Sequence, residues 1–313
     1  MNASTEEVSM NTYAPVVVFA YRRPDHLRRT LDSLMQCQGF DDSRIIVYGD
    51  GPKSADETEA VFATREVARS MLGDRAEYHF SDVHLGLSSS VIRGVSEAVD
   101  RFGRVIVVED DLLLNPYFLT FINQGLDRYE HDDRVFQVSG YMVGVPELKD
   151  FSSALFLPFT VSWGWGTWRR AWEQFEPLAT GWEQLRTVHN TRRRFNLDGT
   201  YDYATMLERQ MQGLRDSWAI RWCWSVFRNE GVVLFPPRSL VDNTGFDGSG
   251  SHGRGMLRKF STPTDILVTT EFDLPKSILV DDDVFKFAKK ALWQKNGGWL
   301  VYFMDRVRRL FRN

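Results

Sequence analysis

The sequence contains little cysteine, no long apolar run and no excess of charge of one sign. Among 313 residues, Cys37 and Cys223 are the only cysteines, which argues against a disulfide-stabilised secreted domain and favours a reducing compartment. No apolar run is long enough to span a membrane, and the polar first ten residues do not have the pattern of a secretory signal. We therefore expect a cytoplasmic protein.

The charges are nearly balanced, with 38 Lys and Arg against 42 Asp and Glu. Without a basic excess the chain lacks the electrostatic footprint of a nucleic-acid binder, so we expect no nucleic-acid partner. Tryptophan, by contrast, is abundant, with ten residues. Aromatic side chains build cores, and their flat faces also stack on sugars.

Strands and helices alternate in the first third of the chain. Buried strands are predicted from four short apolar runs, at residues 14–20, 44–48, 77–80 and 105–108. Between the first two runs, Leu27, Leu31 and Leu34 have the spacing of one helix face. This alternation predicts an α/β fold with a mostly parallel central sheet flanked by helices. No Gly-x-Gly-x-x-Gly follows the first strand, which argues against a nicotinamide-binding enzyme.

Three acids, Glu109, Asp110 and Asp111, directly follow the fourth predicted strand. Ligands of open α/β sheets bind beyond the carboxyl ends of the strands. Carboxylate oxygens at such an edge can hold a hard divalent cation, which in turn binds phosphate. The alternative is a strand end whose acids only solvate a turn.

The stretch 155–182 is dense in Phe, Trp and Gly and includes Gly164 and Trp165. Glycine lets the backbone approach a ligand closely, and a neighbouring tryptophan forms a flat apolar wall. An aromatic core with tight turns is the alternative, and it accounts better for most of these tryptophans.

Asp216 precedes the apolar, tryptophan-rich segment 219–227, which we predict to be a buried helix. An acid at the edge of such a block is partly dehydrated, which suits a carboxylate that accepts protons. Its position also suits a helix N-cap, so the sequence leaves two roles open for Asp216.

A glycine-rich loop at 243–255 contains His252 and is followed by basic residues. Such a loop could fold over a diphosphate. A lone loop histidine is also commonly just exposed to solvent.

The two ends of the chain differ from the rest. Residues 1–12 are predicted to be a disordered leader, and residues 261–313 a helical extension that begins after a linker. Residues 299–312 combine an apolar arc with arginines on the opposite arc. Such a helix suits an anionic membrane surface, for example the inner face of the cytoplasmic membrane. Docking on its own domain or on a second subunit, as in a homodimer, is the alternative.

Taken in order, these positions resemble the GT-A glycosyltransferases, in particular the N-acetylglucosaminyltransferase I family and bacterial family-2 sugar transferases. The most specific segment is Val-Glu-Asp-Asp-Leu at 108–112 followed by Asn-Pro-Tyr-Phe at 115–118, which is similar to that family's variant of the Asp-x-Asp motif. His-Leu-Gly-Leu-Ser at 84–88 resembles a Gly-Leu-Ser turn of family-2 transferases. The resemblance extends from about residue 14 to about residue 255.

The resemblance implies a role for each matching residue. Asp111 corresponds to the direct ligand of Mn²⁺ or Mg²⁺, and Asp216 to the catalytic base. His252 corresponds to a loop histidine that contacts the metal or a phosphate. Contacts with the UDP-sugar donor are implied for Arg23, Asp50, Glu109, Asp110, Gly164 and Trp165.

The resemblance also implies a division of labour along the chain. Residues 13–112 would form the half that binds the nucleotide sugar, and residues 113–260 the half that binds the acceptor and carries out catalysis. The expected reaction is metal-dependent, inverting transfer of a sugar such as N-acetylglucosamine to a hydroxyl of a glycan or glycolipid, in synthesis of bacterial cell-surface polysaccharide.

Two other functions fit the same fold. A sugar nucleotidyltransferase would use the same sheet and metal, but no Gly-rich, basic loop follows the first strand to hold a triphosphate. A non-catalytic carbohydrate-binding or membrane-assembly subunit would keep the fold without chemistry.

Overall fold

The computed structural model describes residues 13–246 and 271–295. Its strands form one large sheet and one short two-stranded ladder. The strands are β1 (Val16–Ala20), β2 (Ile45–Gly49), β3 (Ala76–Phe80), β4 (Arg104–Glu109), β5 (Leu112–Leu114), β6 (Val135–Ser139), β7 (Leu155–Leu157), β8 (Trp165–Trp168), β9 (Val232–Phe235) and β10 (Val241–Asn243).

The large sheet has eight strands in the order β3-β2-β1-β4-β8-β6-β9-β7. The first four strands are mutually parallel, as expected from their alternation with helices. β8 is antiparallel to both of its neighbours, β4 and β6, and β7 is antiparallel to β9. The predicted mostly parallel α/β sheet is therefore confirmed, with two antiparallel strands that the sequence did not reveal.

Helices cover the sheet through apolar faces. The predicted contact residues Leu27, Leu31 and Leu34 are all fully buried. The helices are α1 (Pro24–Met35), α2 (Thr58–Leu72), α3 (Leu87–Phe102), α4 (Phe118–Arg128), α5 (Arg169–Trp172), α6 (Gln184–Thr187), α7 (His189–Phe195), α8 (Tyr203–Met211), α9 (Trp218–Arg228) and α10 (Asp282–Lys295).

The short ladder pairs β5 with β10 in antiparallel register, Leu112 opposite Asn243. β5 begins directly after the three acids at the end of β4. This pairing brings residues 244 and 245 onto the acids, although they lie more than a hundred positions away along the chain.

The predicted helix near the C-terminus forms as α10 and packs onto the main core through Val284, Ala288, Ala291 and Leu292. Asp281 caps it by accepting hydrogen bonds from the N–H groups of residues 283 and 284. The amphipathic tail predicted at 299–312 and the leader at 1–12 lie outside the described residues. No helix in the described ranges has both the length and the apolarity needed to cross a membrane.

Two surface clefts lie at the amino ends of the parallel strands. One is lined by residues 127–134 and 276–279, and the other by residues 44–45 and 74–77. Each cleft is lined in part by residues that precede or begin a strand running in the same direction as β4. They are thus on the edge of the sheet opposite the three acids.

Replacing Gly94 of α3 with leucine should lower the free energy of unfolding by about 1–3 kcal/mol. A Cβ at this position would lie 2.7 Å from Phe19 Cζ on β1, so the buried ring of Phe19 would have to shift. Urea denaturation would measure the loss. Ser89→Leu, at an exposed site on the same helix, should change stability by less than about 0.5 kcal/mol. Equal effects of the two substitutions would contradict the close packing of α3 on β1.

Candidate functional site

The end of β4 carries a pair of buried carboxylates held by one arginine. Asp110 and Asp111 are 4% and 9% exposed. Arg23, at the start of α1, donates from Nη2 to Asp110 Oδ1 and to Asp111 Oδ2, the latter over 2.9 Å. Tyr21 N and Thr30 Oγ1 also bind Asp110, at its Oδ2 and its carbonyl oxygen. Three of the predicted site residues therefore meet in one ion-paired group.

Burial and mutual repulsion perturb the titration of this group. Burial raises the pKa of Asp110, an effect that Arg23 opposes. Burial, together with the neighbouring Asp111 and Asp110, raises the pKa of Glu109 from 4.5 to about 8. Burial alone would lower the pKa of Arg23, but the two aspartates raise it above its ordinary value. Glu109 is therefore protonated at neutral pH, while the two aspartates share one arginine.

Among the described residues, one oxygen of Asp111 has no partner. Oδ2 binds Arg23, whereas Oδ1 is buried without a hydrogen bond from this part of the chain, which is a costly state for a carboxylate oxygen. A hard divalent cation would satisfy this oxygen, so Asp111 fits the predicted metal ligand. No cluster of three or more His, Cys, Asp or Glu side chains that could hold a metal occurs in the described residues. A cation here would therefore need ligands from water or substrate as well.

Gly245 encloses the acid pair from the other side. Thr244 donates from its N–H and its hydroxyl to the carbonyl oxygen of Asp111. A Cβ on Gly245 would lie 2.1 Å from Asp111 Oδ2. Only glycine allows the backbone to approach the carboxylate this closely.

Asp50, which follows β2, organises the loop before α3. Its Oδ1 accepts hydrogen bonds from Gly51 N and Leu85 N, and its Oδ2 accepts one from Gly86 N at 2.9 Å. His84 Nδ1 lies 2.8 Å from the same Oδ2. These contacts fill the four acceptor positions of a carboxylate. The implied contact of Asp50 with the UDP-sugar donor stays a prediction, and a contact through its carboxylate oxygens would require one of these hydrogen-bond donors to move away.

Asp216 lies against this loop. Its Oδ2 is 3.2 Å from the position that a Cβ would take on Gly86. The side chain is 59% exposed, so the dehydrated environment expected from the sequence is wrong. Ser217, rather than Asp216, caps α9 by accepting a hydrogen bond from Ile220 N. The capping role is thereby removed from Asp216, and its carboxylate is left open to a ligand.

Arg221, one turn into α9, holds the surroundings of Asp216 in place. Its guanidinium donates to Ser88 Oγ on α3, to the carbonyl oxygen of Ser217 and to that of Pro177. Burial lowers the pKa of Arg221, and Asp216, 3.9 Å away, opposes this shift. Sequence reasoning missed this residue, although a single charge within the apolar segment 219–227 was a usable signal.

A series of contacts joins the acid pair to Asp216 along one edge of the sheet. Tyr21, which binds Asp110 through its N–H, packs its ring on His84 with centroids 5.1 Å apart. His84 contacts Asp50, Asp50 binds Gly86, and Gly86 lies beside Asp216. The predicted ligand and the predicted base therefore belong to one continuous rim, as the strand order requires.

The predictions for Gly164 and Trp165 as ligand-contacting residues are wrong. Trp165 belongs to strand β8, is fully buried and stacks on Trp218 with centroids 5.3 Å apart. Gly164 is buried and its backbone φ angle is +60°. A Cβ on this residue would lie 2.8 Å from the side chain of Val241. The glycine serves tight packing and the tryptophan anchors the start of α9, as the core interpretation of this stretch implied. His252, the remaining predicted residue, lies outside the described residues.

Trp165→Leu should lower the free energy of unfolding by about 2–4 kcal/mol, because it empties the centre of a tryptophan cluster. Guanidinium denaturation followed by far-UV circular dichroism would measure this loss. Trp182→Leu, at a half-buried position outside that cluster, should cost less than half as much. If Trp165→Leu lowered the free energy of unfolding less than Trp182→Leu, the result would contradict a buried position of Trp165 in the tryptophan cluster.

The metal-free protein should lose stability as the pH rises from about 5 to about 8. Because the pKa of Glu109 is raised to about 8 on folding, the folded state keeps a proton that the unfolded chain has released, and the free energy of unfolding falls with pH. The slope is at most about 1.4 kcal/mol per pH unit. Urea denaturation in EDTA across this range should show a smaller slope for Glu109→Gln, and the wild-type slope for the exposed control Glu130→Gln.

This chain is similar to three solved structures at low identity and low TM-score. A mannosyltransferase from Pyrobaculum calidifontis, in complex with GDP-Man and Mn²⁺, is 15% identical with a TM-score of 0.38, over 70% of this chain and 75% of that one. GalNAc-T7 with UDP, GalNAc and Mn²⁺ is 10% identical with a TM-score of 0.43, over 74% and 44%. Glucosyl-3-phosphoglycerate synthase from Mycobacterium tuberculosis, with Mn²⁺, UDP and phosphoglyceric acid, is 12% identical with a TM-score of 0.32, over 52% and 57%.

The sequence itself matches a family model. Residues 16–176, just over half of the chain, match the model described as Glycosyl transferase family 2. The matched segment runs from β1 through α5 and includes the acid pair, Asp50 and the loop before α3. The chain thus belongs to glycosyl transferase family 2 and is a glycosyltransferase with the GT-A fold.

Proposed function

We propose that this protein is a metal-dependent, inverting glycosyltransferase that moves a sugar, such as N-acetylglucosamine, from a UDP-sugar to a hydroxyl of a glycan or glycolipid in bacterial cell-surface polysaccharide synthesis. The observation that carries the proposal is the buried Oδ1 of Asp111 at the carboxyl edge of the sheet, which has no hydrogen-bond partner within residues 13–246 and 271–295. A carboxylate oxygen without a donor suits a hard cation. The family match supports the nucleotide-sugar donor.

The acid pair would hold the metal and the donor diphosphate. Bound Mn²⁺ or Mg²⁺ would supply positive charge for the diphosphate of the leaving UDP. Asp111 would hold the cation through Oδ1, and Asp110 and Glu109 would support it through water and ribose contacts. Arg23 already bridges both aspartates, so its guanidinium lies where it can also reach a phosphate oxygen.

Asp50 would fix the loop before α3, which would lie on the acceptor side of the site. It holds the N–H groups of Leu85 and Gly86, and Gly86 is the residue against which Asp216 lies. Nucleotide binding and acceptor positioning would thereby share one loop. This coupling needs no movement of the main sheet.

Asp216 would act as the base. As the acceptor oxygen bonds to the anomeric carbon, its proton passes to a carboxylate oxygen of Asp216 and the bond between the anomeric carbon and the UDP oxygen breaks. Attack from the face opposite the leaving group inverts the stereochemistry in one step. The 59% exposure of Asp216 leaves it accessible to an acceptor that arrives from solvent.

Two substitutions should separate metal binding from proton transfer. Asp111→Asn should weaken Mn²⁺-dependent UDP binding by at least tenfold, because it removes the charge of the metal ligand. Asp216→Asn should keep the UDP affinity within about twofold and lower kcat by about 10²- to 10⁴-fold. Calorimetry with UDP and Mn²⁺, beside a UDP-release assay over a panel of UDP-sugars and acceptors, measures both.

Asp133→Asn is the matched control, since Asp133 is exposed at the opposite edge of the sheet. It should leave binding and turnover unchanged. Full turnover by Asp216→Asn would exclude that residue as the base. UDP binding that is independent of Mn²⁺ in the wild type would contradict the metal site.

A further inference from the structure

The chain reaches Asp216 through an exposed loop. Residues 212–216, which join α8 to α9, are exposed at every position. The backbone N–H groups of residues 212–214 bind carbonyl oxygens of residues 208–210, at the end of α8. A segment with few buried contacts is held less firmly than the core. The placement of the Asp216 carboxylate therefore depends on the residues that follow it.

A glutamine of α8 holds the peptide bond between Asp216 and Ser217. Ser217 N donates a hydrogen bond to Oε1 of Gln210 over 2.5 Å. This N–H belongs to the same planar peptide unit as the carbonyl group of Asp216. Holding that unit fixes the backbone angle ψ of Asp216, and with it the direction in which the Asp216 side chain points.

The chain beyond this peptide is anchored by α9. The carbonyl oxygen of Ser217 accepts a hydrogen bond from Arg221 Nε over 3.2 Å. Trp218 is 3% exposed and lies in the tryptophan cluster. Asp216 is thus the last exposed residue before a fixed segment, and the contact with Gln210 is the one that acts on its own peptide.

We propose that Gln210 is a positioning residue for Asp216, and that its side-chain oxygen holds the peptide after Asp216 so that the carboxylate faces the acceptor hydroxyl. The proposal rests on the proposed role of Asp216 as the base. Proton transfer requires the carboxylate within hydrogen-bond reach of the hydroxyl. A misplacement of about 1 Å can cost about 10²-fold in rate.

This role of Gln210 is separate from the packing of α8. The helix packs into its own core through Ala204 and Leu207, which are both fully buried. Gln210 itself is half-buried. A side chain of similar size at position 210 therefore leaves that core intact, so the hydrogen bond to Ser217 N can be tested by itself.

Gln210→Leu and Gln210→Glu separate the acceptor oxygen from the volume of the side chain. Leucine removes the acceptor, whereas glutamate keeps one at the same reach. We expect Gln210→Leu to lower kcat by about tenfold or more and Gln210→Glu to keep at least about half of the wild-type kcat. Both should keep the Mn²⁺-dependent UDP affinity within about twofold. Gln212→Leu, at an exposed position of the loop, is the matched control and should leave kcat unchanged.

The Asp216→Asn background shows whether Gln210 acts through Asp216. If it does, adding Gln210→Leu to Asp216→Asn should change kcat by less than about twofold, because both substitutions then remove the same function. A further tenfold loss in the double variant, or an unchanged kcat in Gln210→Leu alone, would overturn the proposal. Full turnover by Asp216→Asn would instead reject the base itself, and with it the proposed mechanism.

Hydrogen–deuterium exchange at the Ser217 amide tests the contact without any turnover. The amide should be protected in the wild type and in Gln210→Glu, and should exchange at least about tenfold faster in Gln210→Leu. Equal exchange in all three proteins would overturn the proposal whatever the activity of the preparations.

Discussion

The ion pairs of Arg23 with Asp110 and Asp111 are the interaction on which this site depends. Two carboxylates at the end of a buried strand lose most of their hydration, which is costly unless a counter-charge and hydrogen bonds replace the water. Arg23 supplies the charge, and Tyr21 N and Thr30 Oγ1 supply bonds to Asp110. One arginine thus pairs with two aspartates, and Oδ1 of Asp111 stays without a hydrogen-bond partner among the described residues. The proposed cation would occupy this edge of the sheet.

The loop before α3, on the proposed acceptor side, is organised by another carboxylate that acts through the backbone. Asp50 has its oxygens filled by donors from residues 51 and 84–86, and it thereby fixes the start of α3. A carboxylate at a helix N-terminus is also favoured by the helix dipole. Arg221 fixes the start of α9 against α3. Asp216, between the two helix starts, thus lies on a rigid support while its own carboxylate stays accessible.

Periodicity and strand ends predicted the parallel half of the sheet, the acids at its edge and the buried face of α1, because these features are local in sequence. The antiparallel insertion of β8 was not predicted, since pairing between distant segments has no local pattern. Trp165 was assigned to a ligand because glycine next to tryptophan has the same composition in a binding loop and in a core. Only the partners, here Trp218 and Trp222, distinguish the two. The single charge of Arg221 in an apolar segment was visible in the sequence, but its partners Ser88 and Pro177 are brought to it only by the fold.

The position of β8 also bears on the order in which the chain can assemble during synthesis. β6 leaves the ribosome before β8, yet in the finished sheet β8 lies between β6 and β4. The parallel half can form from segments already synthesised, whereas β6 has no edge of that half to join until about thirty more residues have emerged. Until then the parallel half of the sheet does not cover the apolar residues of β6, such as Val135 and Val138. A chain that folded in step with its synthesis would therefore hold one completed half-sheet beside an unpaired strand.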